Sequence, residues 1–293
     1  MKKTIYVVII LAILVGLYFI IFNQKTEDLT IDNPSDVATS TATTTPTSTS
    51  TVNVLPEEVE TAPAEKAIKN IGVSVEGNDI VAYSFGTGSD EILVVAGIHG
   101  TFAPSAVKTA EELVAYYNEK VSTLPENIRL TIIPTLNPDG LEGNTRTNAN
   151  NVDLNRNFDC AWKADAQYSG GPVSGGSKVF SEPEAQAIRD YVTNNNVVAA
   201  VILVAREGKV YAESCNSVKA SATNRLATDF SQASGYALSV NEAISGYVPT
   251  GELASWLNKI DIPAISVLLS DYNKSEFSQN QLGLRAVINY FAN

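Results

Sequence analysis

ILVVAGIHGTFAPSAVKTAEELVAYY, residues 92–117, sets how this chain folds. Its first seven residues, 92–98, are continuously apolar or small, as in a strand covered on both faces. From 103 to 117 the spacing changes. Ala106, Val107, Ala110, Leu113 and Val114 recur at i, i+3 and i+4, the apolar stripe of a helix. The alternation continues along the chain. Residues 130–136 read as a second buried strand, stopped by the turn sequence Asn137-Pro138-Asp139-Gly140. Helical spacing recurs over 182–192, 217–233 and 275–291, and strand-like runs over 199–204 and 264–269. Strands separated by helices imply an α/β domain with a largely parallel or mixed sheet between helices. In such sheets, sites gather at the carboxyl ends of strands.

The 293-residue length is enough for one large domain with a sizeable core. A formal charge of −12 argues against general affinity for nucleic acid, which rewards clustered Lys and Arg. Residues 5–22 form an unbroken apolar or small run behind Lys2 and Lys3. That length is near the roughly 20 residues a membrane-spanning helix needs. A cleaved signal peptide competes with this reading. The run, however, exceeds the usual apolar core of about 7–15 residues, and no small-x-small site follows Phe22. The expectation is a cytoplasmic segment 1–4, a single-pass anchor 5–22, a tether 23–66 and an extracytoplasmic domain 67–293. The tether contains TSTATTTPTSTSTVN, residues 39–53, whose Ser, Thr and Pro offer no apolar surface to offset the entropy of ordering. Outside the cytoplasm Cys160 and Cys215 form a candidate disulfide, with two buried free thiols as the alternative.

His99, in Gly97-Ile98-His99-Gly100, is the only histidine. A lone histidine is more often a hydrogen-bonded packing residue than a metal ligand. RTNANNVDLNRNF, residues 146–158, is a polar loop. Its asparagines suit surface turns. Equally, arginine forks and asparagine amides suit recognition of a carboxylate.

The ordered motifs GIHG at 97–100, NPDG at 137–140, VDLNRNF at 152–158 and SEPEAQAI at 181–188 resemble the carboxypeptidase A-like zinc metallopeptidases, which include the murein-peptide amidases. The resemblance covers the globular part and implies a single domain with a mixed, mostly parallel sheet of about eight strands. It also implies roles. Arg146 matches the arginine that polarises the scissile carbonyl, and Asn155 and Arg156 match the pair that holds the substrate's terminal carboxylate. Tyr247, in YVPTGELASW at 247–256, matches a mobile tyrosine over the substrate, and Ala254 a specificity-pocket position. Cys160 and Cys215 fall where some secreted relatives are disulfide-bonded.

The chemical positions depart from that pattern. The family holds zinc with two histidines and a glutamate and leaves one position for water. Here His99 remains, the glutamate ligand position is Phe102, and the second histidine position is Ala205. The catalytic glutamate position, in IPAISVLL at 262–269, is Leu268. One imidazole cannot retain zinc, and without a carboxylate nothing takes a proton from water. The Phe102 ring is expected to fill the ligand space and close the site. Glu207 and Asp139 are the carboxylates considered for a rebuilt site. No cofactor is expected, although active relatives carry zinc. The leading expectation is a non-catalytic, membrane-anchored domain that binds the C-terminal carboxylate of a peptide or a cell-wall stem peptide. The alternatives are an active metallocarboxypeptidase or amidase with unusual ligands, and a structural or partner-binding module.

Overall fold

The computed structural model describes residues 66–239 and 249–292. The anchor 5–22, the tether apart from Lys66, and Tyr247 lie outside the described residues. Among the described residues, no helix is long and apolar enough to cross a membrane.

A hairpin of β1 (Lys66–Val73) and β2 (Asp79–Phe85) leads into β3 (Asp90–Val95), α1 (Pro104–Lys120) and β4 (Ile128–Ile133). After α2 (Pro138–Glu142) comes a long loop carrying the hairpin β5 (Asp165–Tyr168) and β6 (Gly171–Ser174), then α3 (Pro183–Asn194). The chain continues through β7 (Val197–Ala205), β8 (Lys209–Tyr211), α4 (Thr223–Ser234) and β9 (Ala237–Ser239). It closes with α5 (Leu253–Lys259), β10 (Ala264–Leu269) and α6 (Phe277–Phe291). Eight strands form one mixed sheet in the order β1-β2-β4-β3-β7-β10-β8-β9. The centre, β4-β3-β7-β10, is parallel. The pairs β1–β2, β2–β4 and β8–β10 are antiparallel.

Alternate residues of the central strands feed two cores. On one face Leu93, Val95, Ile202, Val204 and Leu268 pack with Ile188 of α3 and Leu253, Trp256 and Leu257 of α5. On the other Ile92, Val94, Val201, Leu203 and Val267 pack with Leu113 of α1, Phe230 of α4 and Val287 of α6. Burial on both faces is why these strands read as unbroken apolar runs.

The expected boundaries shift where the backbone turns. Residues 92–98 stay buried, but β3 ends at Val95 because Gly97 adopts φ +64°. A Cβ there would lie 2.7 Å from the Thr135 Cα. β4 stops at Ile133 because Pro134 has no N–H for the ladder. The helix expected over 217–233 begins only at Thr223. Asn216 and Ser217 take left-handed φ values, and Cys215 bridges back to Val218. The hairpin β1–β2 and the pieces α2, β5, β6, β8, β9 and α5 have no counterpart in the sequence pattern, since runs of three to eight residues are too short to display a clear period.

Cys160 and Cys215 are joined in a disulfide across a separation of 55 residues, with Cα atoms 5.6 Å apart. The loop-closure relation assigns a cross-link of this span about 4 kcal/mol of stabilisation through the unfolded chain. Replacing both cysteines by serine is therefore expected to lower the unfolding free energy by roughly 2–4 kcal/mol. Denaturant titration of the double variant against the oxidised parent checks this; an unchanged midpoint would contradict it.

Candidate functional site

Beyond the carboxyl ends of β7 and β10 lies a cavity of about 460 Å³. It gathers His99, Arg146, Asn155 and Arg156 together with Phe102, Ala205 and Leu268. Leu268 and Val204 sit side by side in the parallel register of β10 and β7 and supply an apolar floor. The Ala205–Arg206 peptide at the end of β7 is cis.

Asp153 organises the polar wall. It has no solvent exposure, and its Oδ2 accepts from Arg146 Nε at 2.9 Å. Its Oδ1 accepts from the Asn155 amide at 3.1 Å and so caps the 3-10 turn Leu154–Arg156. Burial works against this carboxylate. Arg146, through its charge, leads the opposing interactions, followed by His99 and Arg156, and together they outweigh burial and hold the pKa below the usual aspartate range. The Arg146 guanidinium also lies over the Tyr168 ring, 4.3 Å from its centroid.

Arg146 Nη2 is 2.9 Å from His99 Nε2. A guanidinium only donates, so Nε2 accepts and the proton sits on Nδ1. That Nδ1 is buried and has no hydrogen-bond partner among the described residues. Burial, then the neighbouring Arg146 charge, pushes the imidazole well below the usual histidine range. His99 is therefore neutral near pH 7, and its 3.7 Å approach to Asp153 Oδ1 is neither an ion pair nor a hydrogen bond.

Arg156 is 1% exposed yet reaches the cavity wall. Its Nε donates to the Gln167 carbonyl at 2.9 Å and its Nη1 to the Asn155 carbonyl at 2.6 Å. The same Nη1 is 3.3 Å from Glu252 Oε1. Asn155 Oδ1 accepts from the Leu253 amide at 3.0 Å, which turns Nδ2 toward that same Glu252 oxygen, at 3.5 Å. Gly251 permits this approach. It has φ +67°, and a Cβ there would lie 2.3 Å from the Arg156 carbonyl oxygen.

Several site expectations need correction. Phe102 does not close the site: it is 43% exposed, beside an open cavity, because the turn Gly100–Phe102 carries it to the rim. Asp139 stands away from the cavity. It accepts from the Ser74 hydroxyl, the Glu76 amide and Asn78 Nδ2, and so clamps the β1–β2 turn. Ala254 is buried in the apolar core. Glu207 does line the cavity, with Lys209 and Tyr211 as its partners. Asp153, Glu252 and Tyr168 had no assigned role in the sequence reading. The first two lie inside the motifs that carried it, but nothing local marks them as facing Arg146 and Arg156.

The donor set does not fit the zinc of the family. Among the described residues, the buried Nδ1 of His99, which lacks a hydrogen-bond partner, is the feature that suits a ligand. Phe102, Ala205 and Leu268 offer only carbon. Among the described residues, no group of three or more His, Cys, Asp or Glu side chains is placed to hold a metal ion.

Comparison with known proteins gives this architecture its class. Residues 53–256 match the zinc carboxypeptidase (peptidase M14) family, and the chain belongs to that family. It is 35% identical to murein peptide amidase A of Escherichia coli K12 over 107 residues, 33% of this chain and 41% of the amidase. Against carboxypeptidase M of Mus musculus it is 27% identical over 157 residues, 46% of this chain and 33% of that protein. The chain thus spans well under two thirds of these relatives. Among solved structures, the murein-tripeptide amidase of Escherichia coli O157 superposes with a TM-score of 0.58 at 23% identity, covering 83% of this chain and 98% of the amidase. Bovine thrombin-activatable fibrinolysis inhibitor, in complex with tick carboxypeptidase inhibitor, gives 0.62 at 18% identity, covering 78% and 88%. At these identities the likeness is one of fold.

Two outcomes follow from the site's electrostatics. The single imidazole is expected to remain neutral at pH 6.5, where a free histidine is half protonated. Imidazole NMR checks this directly. Because its folded pKa is depressed, unfolding takes up a proton below the unfolded value of about 6.5. The stability His99 contributes is therefore present above pH 6.5 and lost as pH falls below it. Asp153→Asn removes the buried partner of Arg146. It is expected to cost about 3–5 kcal/mol, read as a lowered denaturation midpoint.

Proposed function

We propose that this chain is a non-hydrolytic member of the zinc carboxypeptidase family that binds the carboxylate end of a peptide. In this reading the segment 5–22 anchors it in the cell membrane, and the tether 23–66 holds the domain on the extracytoplasmic side. The observation that carries the reading is a division within one cavity. Arg146, Asn155 and Arg156 reach it with hydrogen-bond donors, while Phe102, Ala205 and Leu268, which the sequence resemblance aligns with the family's chemical positions, line it with carbon. Grip on a ligand survives such a set of side chains, whereas activation of water does not. The likeness to murein peptide amidase A supports a cell-wall stem peptide as the ligand class.

A structural role is the second reading. It is favoured by the bonds of Arg156 to the Gln167 and Asn155 carbonyls, which would hold the loop without any ligand. Arg156→Ala separates the two, since only the binding reading predicts lost affinity for a free C-terminus over an amidated one. For the inactivity half, purified full-length protein is expected to contain far less than one zinc per chain by elemental analysis. It is also expected to show no chelator-sensitive peptide hydrolysis. Stoichiometric zinc together with hydrolysis that a chelator abolishes would overturn the proposal.

A further inference from the structure

We propose that Glu252 stands in the place of the ligand's carboxylate, so that a peptide C-terminus enters the Asn155–Arg156 cradle only together with one proton, which Glu252 takes up from solvent. This inference rests on the carboxylate-binding reading above.

The two donors assigned to the ligand, Arg156 Nη1 and Asn155 Nδ2, converge on a single atom, Glu252 Oε1, at 3.3 and 3.5 Å. That convergence is built in. The Leu253 amide fixes the Asn155 side chain from its other end, at 3.0 Å. Gly251, just before Glu252, is tied to the cradle segment by Phe158 N to Gly251 O at 3.0 Å and Gly251 N to Cys160 O at 2.7 Å. Glu252 is itself 5% exposed and lines the cavity. Its contacts are long beside the roughly 2.7–2.9 Å of a good charge-assisted bond. An internal carboxylate held this loosely can be displaced by one that fits better.

Charge decides the manner of displacement. Arg146 is opposed by Asp153 and Arg156 by Glu252, while His99 beside Arg146 is neutral; Glu207 with Lys209, and Arg206 over the Tyr272 ring, complete the charges around the cavity. A ligand carboxylate that takes the Arg156 and Asn155 donors strips Glu252 of the contacts it makes there, and a carboxylate only 5% exposed does not tolerate losing its counter-charge. Taking up one proton restores the balance. Of the candidates, Asp153 is held ionised by Arg146, and Glu207 stands with Lys209. Glu252 is the group for which burial favours the neutral form, with Asp153 adding to that and Arg156 and Arg146 opposing it. A neutral Glu252 leaves Arg156 and Asn155 to the ligand. The sign follows: binding of a free C-terminus weakens as pH rises.

The test is calorimetric titration of the full-length protein and of Glu252→Gln with N-acetyl-alanyl-alanine and its C-terminal amide. Titrations at pH 5.5 and 7.5 use two buffers of different ionisation enthalpy. For the parent, affinity for the free acid is expected to fall with rising pH, approaching tenfold per unit, with up to one proton absorbed per ligand bound at pH 7.5. Glu252→Gln is expected to bind the acid more tightly at pH 7.5 and to lose the pH dependence. Proton uptake by the parent needs no variant, so poor folding of Glu252→Gln leaves the test intact. Binding by the parent with no proton uptake and no pH dependence overturns this inference and leaves carboxylate recognition standing. Preference for the amide, with weaker binding by Glu252→Gln, would make Glu252 a direct ligand contact and also overturns it. No binding of the acid by either protein at either pH overturns both readings.

Discussion

A carboxylate with no access to water must be matched by charge and hydrogen bonds, and Asp153 imposes that requirement on everything around it. Arg146 answers it from one side and the Asn155 amide from the other. The first contact fixes the guanidinium that reaches His99 and covers Tyr168. The second shapes the turn from which Asn155 and Arg156 project. The polar wall of the cavity is thus one network, in which each charged member is held by another. A change at Asp153 would reach Arg146 and His99 together.

The two walls of the cradle share an apolar support. Phe158 follows the turn that carries Asn155 and Arg156, and its ring stacks on Trp256 of α5 with centroids 5.8 Å apart. Phe180 meets both rings edge-on. Above this cluster the backbone of 158–160 pairs with Gly251, and Cys160 is bonded to Cys215. Packing, backbone hydrogen bonds and a covalent link therefore fix the distance between Arg156 and Glu252. Any added side chain at Gly251 would collide with the Arg156 backbone.

The electrical character of the cavity is set by its arginines and the carboxylates that face them. Arg146 and Arg156 each already face a carboxylate. Where Glu252 stands relative to the cradle therefore bears directly on what the cavity can hold.

The layered α/β plan was legible because central strands buried on both faces must be continuously apolar, as in β3, β7 and β10, and because α1 must carry a helical stripe. That Arg146, Asn155 and Arg156 belong together was legible too, since one polar motif carries all three and they line one cavity. Short edge pieces such as β8 and β9, three residues each, carry no periodic signal and exist only through their neighbours in the sheet. What the sequence could not contain is distance. Glu252 lies 96 residues from Arg156 along the chain. Asp153, though local, is defined as a hub only by the burial that folding creates. Phe102 reads as a plug from its size, and the turn that bears it decides that it stands at the rim. Sequence determined which groups this site possesses. Tertiary structure alone decided which charges meet, because an ion pair depends on separation in space and on exclusion of water, and neither is a property of chain order.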